Sequence, residues 1–155
     1  MYRVALRRLA TVLTTCLVNL SITSVSLAGP PVVDPCSLVT NAEVEQVVGK
    51  LKGAPTADKM GNAASCNFEF ANGKDAFEIW VGPDDAFMRI RKDAKKPVTV
   101  KGLGDDAFMN RGAHGLDYVD LIIKKGVVLI QLAIKETAGD EDKLVTLGKK
   151  AVGRF

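Results

Sequence analysis

Asn72-Gly73 stands between two stretches in which apolar and polar residues alternate. Before it, Cys66, Phe68 and Phe70 alternate with Asn67 and Glu69; beyond it, Phe77, Ile79 and Val81 recur at every second position. Alternation places each apolar set on one face of a strand. Asn-Gly is a favoured two-residue hairpin turn, because both residues tolerate the positive φ angles it needs. With Ala71 paired to Lys74, Phe68 faces Phe77 and Cys66 faces Ile79, so turn chemistry and apolar pattern give one register. Ser65 and Trp80 fall on the opposite face. Such a hairpin commits the chain to an antiparallel sheet with an apolar face to cover.

The segments around the hairpin supply more strands and the helices to cover them. Thr40-Asn41-Ala42-Glu43 is a capping box, with Val39 and Val44 placed as a hydrophobic staple and Gly49 at the stop. Residues 50–62 carry Gly53, Pro55 and Gly61 and read as a loop. Pro83-Asp84-Asp85 opens a short helix, with carboxylates at the positive end of its dipole, and Pro97 ends it. Val98-Thr99-Val100 and Ala107-Phe108-Met109 are short strands. A second hairpin runs from about Leu116 to Lys135 and turns near Lys125-Gly126. It sets Val119, Leu121 and Ile123 against Leu132, Ile130 and Val128. Leu144, Leu147, Ala151, Val152 and Phe155 recur at helical spacing after Asp140, and Gly148 weakens that helix. The order α-β-β-α-β-β-β-β-α predicts an α+β fold, a mainly antiparallel sheet with helices packed on one face.

The N-terminus reads as an export signal over residues 1–28. Arg3, Arg7 and Arg8 precede an apolar run, and Ser26-Leu27-Ala28 supplies the small residues a signal peptidase recognises. An extended Pro-rich segment, 29–35, then leads into a single domain over 36–155. Removing the three arginines from 21 basic residues leaves as many as the 18 acidic ones. The domain is therefore near neutral, which argues against nucleic acid as a partner. No stable membrane span is expected after cleavage, and the expected location is periplasmic or secreted.

Three cysteines are present. Cys16 lies in the signal, and Thr15 before it departs from the small residue that a lipid-attachment site wants. Cys36 and Cys66 remain, an even pair in an exported chain, and a disulfide between them is expected. Closing a loop of about 31 residues restricts the unfolded chain by roughly 3.5–4 kcal/mol.

Few residues point to chemistry. His114, the only histidine, lies in the loop Arg111-Gly112-Ala113-His114-Gly115 and lacks a nucleophile motif beside it. One histidine and an oxidised cysteine pair do not make a zinc site. Asp84-Asp85 and Asp105-Asp106 lack the spacing that gathers the six to eight or so oxygens calcium takes. Gly102-Leu103-Gly104 is only a fragment of a phosphate loop and reads as a turn. No catalytic residue, cofactor or metal is expected. Trp80, Tyr118, Ile122 and Leu129 form the candidate binding face, on the side of the sheet away from the helices, unless the 50–62 loop covers them.

Asp34-Pro35-Cys36-Ser37-Leu38-Val39-Thr40, with Glu43-Val44 and Val48-Gly49, resembles a family of small exported bacterial proteins, best known as actinobacterial lipoproteins of unknown function. The Cys66-Asn67-Phe68 strand, the Gly102–Phe108 turn and the final apolar hairpin are similar as well. The pattern is more distantly similar to the PsbP and Mog1 type of sandwich, whose members are mostly binding or assembly factors. The resemblance implies an exported accessory or binding domain for a protein or cell-envelope ligand. Two other functions stay open at the level of sequence. One is an envelope hydrolase using His114 with Asp105, Asp106 or Asp117; the other is an exported inhibitor of a protease or lysozyme, presenting the 50–62 loop. The sequence leaves the oligomeric state open.

Overall fold

A computed structural model describes residues 33–73, 76–112, 118–135 and 140–155. The expected signal segment with Cys16, most of the Pro-rich segment, Lys74, His114 and Asp117 lie outside the described residues. Seven strands form one antiparallel sheet: β1 (Thr56–Met60), β2 (Ala63–Glu69), β3 (Ala76–Pro83), β4 (Val98–Thr99), β5 (Asp106–Arg111), β6 (Tyr118–Lys125) and β7 (Val128–Lys135). Their order across the sheet is β1-β2-β3-β7-β6-β5-β4. Three α-helices accompany it: α1 (Asn41–Val47), α2 (Phe87–Asp93) and α3 (Asp140–Gly153). The fold is thus strand-rich, with the predicted antiparallel sheet and disulfide.

The first hairpin has the predicted register, Phe68 opposite Phe77 and Cys66 opposite Ile79. In the second, the predicted apolar sets share a face, but the pairing differs by two residues: Leu121 faces Leu132 and Ile123 faces Ile130. The turn lies one residue later than the sequence reading placed it. Lys125 pairs with Val128, leaving Gly126-Val127 as a two-residue turn whose glycine has φ +59°. A glycine in the left-handed region at the first central position is what such a primed turn requires.

The centre of the first face of the sheet is apolar. Phe68, Phe77, Ile79, Leu121, Ile123, Ile130 and Leu132 are buried there against Val44 of α1 and Leu144, Leu147 and Ala151 of α3. Each leucine sealed in this way stabilises the fold by about 1.5–3 kcal/mol relative to exposure. Gly148 serves a packing purpose: a Cβ there would come within 2.7 Å of a Leu121 methyl, so glycine lets α3 lie close on β6.

The capping box forms as predicted. Glu43 N donates to Thr40 Oγ1 at 3.3 Å, and Thr40 N donates to Glu43 Oε2 at 2.9 Å. The same carboxylate holds the end of α3 through both terminal nitrogens of Arg154 at 2.8 Å and Lys150 Nζ at 3.1 Å. Those charge-assisted bonds, with Arg154 the largest contributor, hold Glu43 far below the usual carboxylate range. Cys36 and Cys66 are joined, Cα atoms 5.1 Å apart, tying the Pro35–Ser37 turn to β2. Such bonds persist in oxidising compartments. Among the described residues, no helix is long and apolar enough to cross a membrane.

Two expectations are overturned. The helices do not share one face: α1 and α3 cover the first, while α2 packs on the second, where Phe87 joins Phe108, Ile122 and Leu129 in a separate buried cluster. The 50–62 segment is not all loop, because residues 56–60 pair with β2 as an edge strand, all five exposed.

Candidate functional site

The second face is built from two neighbouring rows that cross the sheet. In one, Ser65 faces Trp80, Trp80 faces Gln131, Gln131 faces Ile122 and Ile122 faces Phe108. In the other, Asn67 faces Glu78, Glu78 faces Ala133, Ala133 faces Asp120 and Asp120 faces Asn110. Among the described residues, the buried polar side chains are Ser65, Asn110 and Asp120, and all three project from this face. The two faces therefore differ in kind: one is a dry core, the other mixes aromatic, amide and carboxylate groups.

The four residues of the candidate binding face share this side as expected, but α2 divides them. Ile122 and Leu129 are fully buried in the cluster with Phe87 and Phe108, whose rings meet edge to face at 5.3 Å. They are core residues, and of the two only Leu129 lines a cavity on this face. Trp80 and Tyr118 are half-buried and stay accessible. The cover comes from residues 87–94, not from the 50–62 loop.

The acidic doublets hold α2 in place. Arg91 pairs with Asp106, donates to Thr99 Oγ1 at 2.9 Å and lies over the Phe108 ring at 5.3 Å. Asp84 pairs with Lys124 at 2.6 Å, a contact that raises the lysine above its ordinary value. Asp105 accepts from Gly126 N at 2.6 Å, bracing the β6–β7 turn. Two of the three carboxylates named for a hydrolytic reading are thus engaged in structure. Among the described residues, no group of histidine, cysteine, aspartate and glutamate is arranged to hold a metal.

Between the flank of α2 and the β1 side of the sheet, the second face opens into a groove of two cavities. The larger, about 340 Å³, is lined by Trp80, Gln131 and Leu129 from the sheet and by Ala86, Arg89 and Ile90 from the α2 segment. The smaller, about 310 Å³, is lined by Asn67, Ala76, Glu78, Tyr118 and Ala133. Glu78 and Ala133 line both, so the two form one trough. Volumes of this size suit small-molecule sites. Ala133 is why the trough has depth: a methyl stands where its row neighbours carry longer side chains. Trp80 lies down along its strand, since a Cβ on Gly82 would come within 2.2 Å of the indole Cη2. Glycine at 82 therefore provides the bed on which the ring rests.

Glu78, Gln131 and Arg89 were absent from the sequence-based site. Glu78 was readable in principle, two residues before Trp80 and so on the same face of β3. Arg89 was not, because the sequence does not fix which side of the sheet α2 takes. No known protein family matches the chain, and neither do the curated proteins or the solved structures.

Proposed function

We propose that this chain is an exported binding or accessory domain of the cell envelope, without catalytic machinery of its own, and that the trough on the second face is its binding site. The observation that carries the reading is the trough itself. It is a concave strip with an aromatic and aliphatic wall and a few convergent polar groups, on a sheet whose other face is sealed by α1 and α3. The N-terminal signal pattern, the disulfide and the resemblance to small exported bacterial proteins support the location.

The test is a titration of the isotope-labelled domain with solubilised envelope fractions, followed by two-dimensional NMR. Shifts gathered on Glu78, Trp80, Tyr118 and Gln131, and lost in Trp80→Ala, are expected. Shifts gathered elsewhere, or none, would refute the site.

A further inference from the structure

We infer that the trough receives an organic ammonium group, seated against Glu78 in the smaller cavity with its apolar part lying towards Trp80. This rests on the trough being the binding site. Glu78 is half-buried and lines both cavities, yet its side chain makes no hydrogen bond or ion pair with another described residue. Its contrast with Glu43, Asp84 and Asp106, each held by a lysine or arginine, is plain. A carboxylate withdrawn from water without a counter-charge is costly, and a cationic ligand removes that cost where a neutral one does not.

The neighbours favour the same chemistry. Among the described residues, Glu78 is the sole charged group lining the smaller cavity, so its field there is unopposed. Tyr118 lines that cavity and Trp80 the larger one, on either side of Glu78. Aromatic faces attract cations, organic ammonium groups among them. Asn67 faces Glu78 across the strand pair and offers an amide oxygen to a further N–H. Arg89, exposed on the α2 wall of the larger cavity, repels a second positive charge at that end. The geometry therefore points to a single ammonium on an apolar stem: an alkylamine, or a lysine side chain of a peptide.

The chain has one tryptophan, so the Trp80 indole N–H signal reports on the trough without ambiguity. The experiment titrates the whole domain with n-hexylamine, with 1-hexanol as its neutral counterpart, with N-acetyl-lysine methylamide and with maltotriose, following that signal by NMR. A saturating shift is expected with both amines, and binding at least about tenfold weaker for hexanol. Glu78→Gln, which keeps the side chain's shape, should weaken the amines by about the same factor. Its unchanged melting temperature would show that the fold is retained. A tighter fit for the lysine derivative than for hexylamine assigns the source to a peptide, and the reverse order assigns it to a free amine. Equal binding of hexanol, unchanged binding in Glu78→Gln, or a response to maltotriose alone overturns the ammonium assignment. If no probe binds while envelope fractions still move Trp80, the ammonium assignment falls and the trough stands as a site. If neither moves it, both fall.

Discussion

Replacing both cysteines with alanine, Cys36→Ala with Cys66→Ala, tests how much of this domain's stability is held in one covalent link. The linked residues are 30 apart in sequence, and the loop closed between them costs the unfolded chain about 3.7 kcal/mol of conformational freedom. Cys66 is fully buried, so the small void left by its sulfur adds about 1 kcal/mol. The sum, about 4–5 kcal/mol, is a large share of the 5–15 or so kcal/mol typical of a domain. At this chain length it corresponds to a fall in Tm of about 12–20 °C. Guanidinium unfolding followed by circular dichroism measures it. The midpoint should drop, and the slope m should rise, because an unlinked unfolded chain exposes more surface. Wild-type protein under a strong reductant should approach the double variant, since both act on the same unfolded ensemble. A loss under about 1 kcal/mol with m unchanged would refute the account and place the stability in the packing of the first face.

The remaining predictions bear on the second face and on the α1–α3 contact. Gly82→Ala should push the indole off its bed, costing about 1–3 kcal/mol and moving Trp80 emission to longer wavelength; an unchanged spectrum would show that the ring does not rest there. Phe108→Ala removes the fully buried ring that Phe87 packs against and should cost about 3–5 kcal/mol. Hydrogen exchange should then quicken first in residues 87–93, and uniform quickening would contradict a separate cluster. Glu43→Gln tests the pH dependence. Glu43 sits well below its ordinary value of 4.5 when folded, so its contribution is whole above that pH and is lost as pH falls towards its folded value. The gap in urea midpoint between wild type and Glu43→Gln should be widest near neutrality and shrink as pH falls below that value; a gap that widens in acid would reverse the assignment.

Local signals were the readable ones. The Asn72-Gly73 register, the Thr40–Glu43 box and the Cys36–Cys66 pair are each specified within one segment or by compartment. β1 was not readable, because all five of its residues are exposed and carry no alternation; its backbone pairing with β2 alone makes it a strand. The side taken by α2 was hidden for another reason. Phe87 and Ile90 show an apolar stripe but not which face of the sheet it meets. The clue lay in the sheet: Ile122 and Leu129 are apolar at positions pointing away from the first core, and strands apolar on both sides are covered on both sides. The same blind spot turned half of the candidate binding face into core and left Arg89 out of it.

The strand order carries a consequence for how this chain comes to exist. β1-β2-β3 and β4-β5-β6 are two consecutive meanders, and the last strand, β7, lies between them as the sole hydrogen-bonded link. Until residues 128–135 arrive, the two half-sheets each show an open central edge. Contacts between β3 and β7 span about a third of the chain's length, from Pro83–Val128 to Phe77–Ile134, the kind of closure that comes late in folding. A chain emerging N-terminus first therefore keeps its sheet unclosed until β7 is available. That order predicts that truncation before Val128 leaves one chain with two unjoined, open-edged half-sheets rather than a smaller domain.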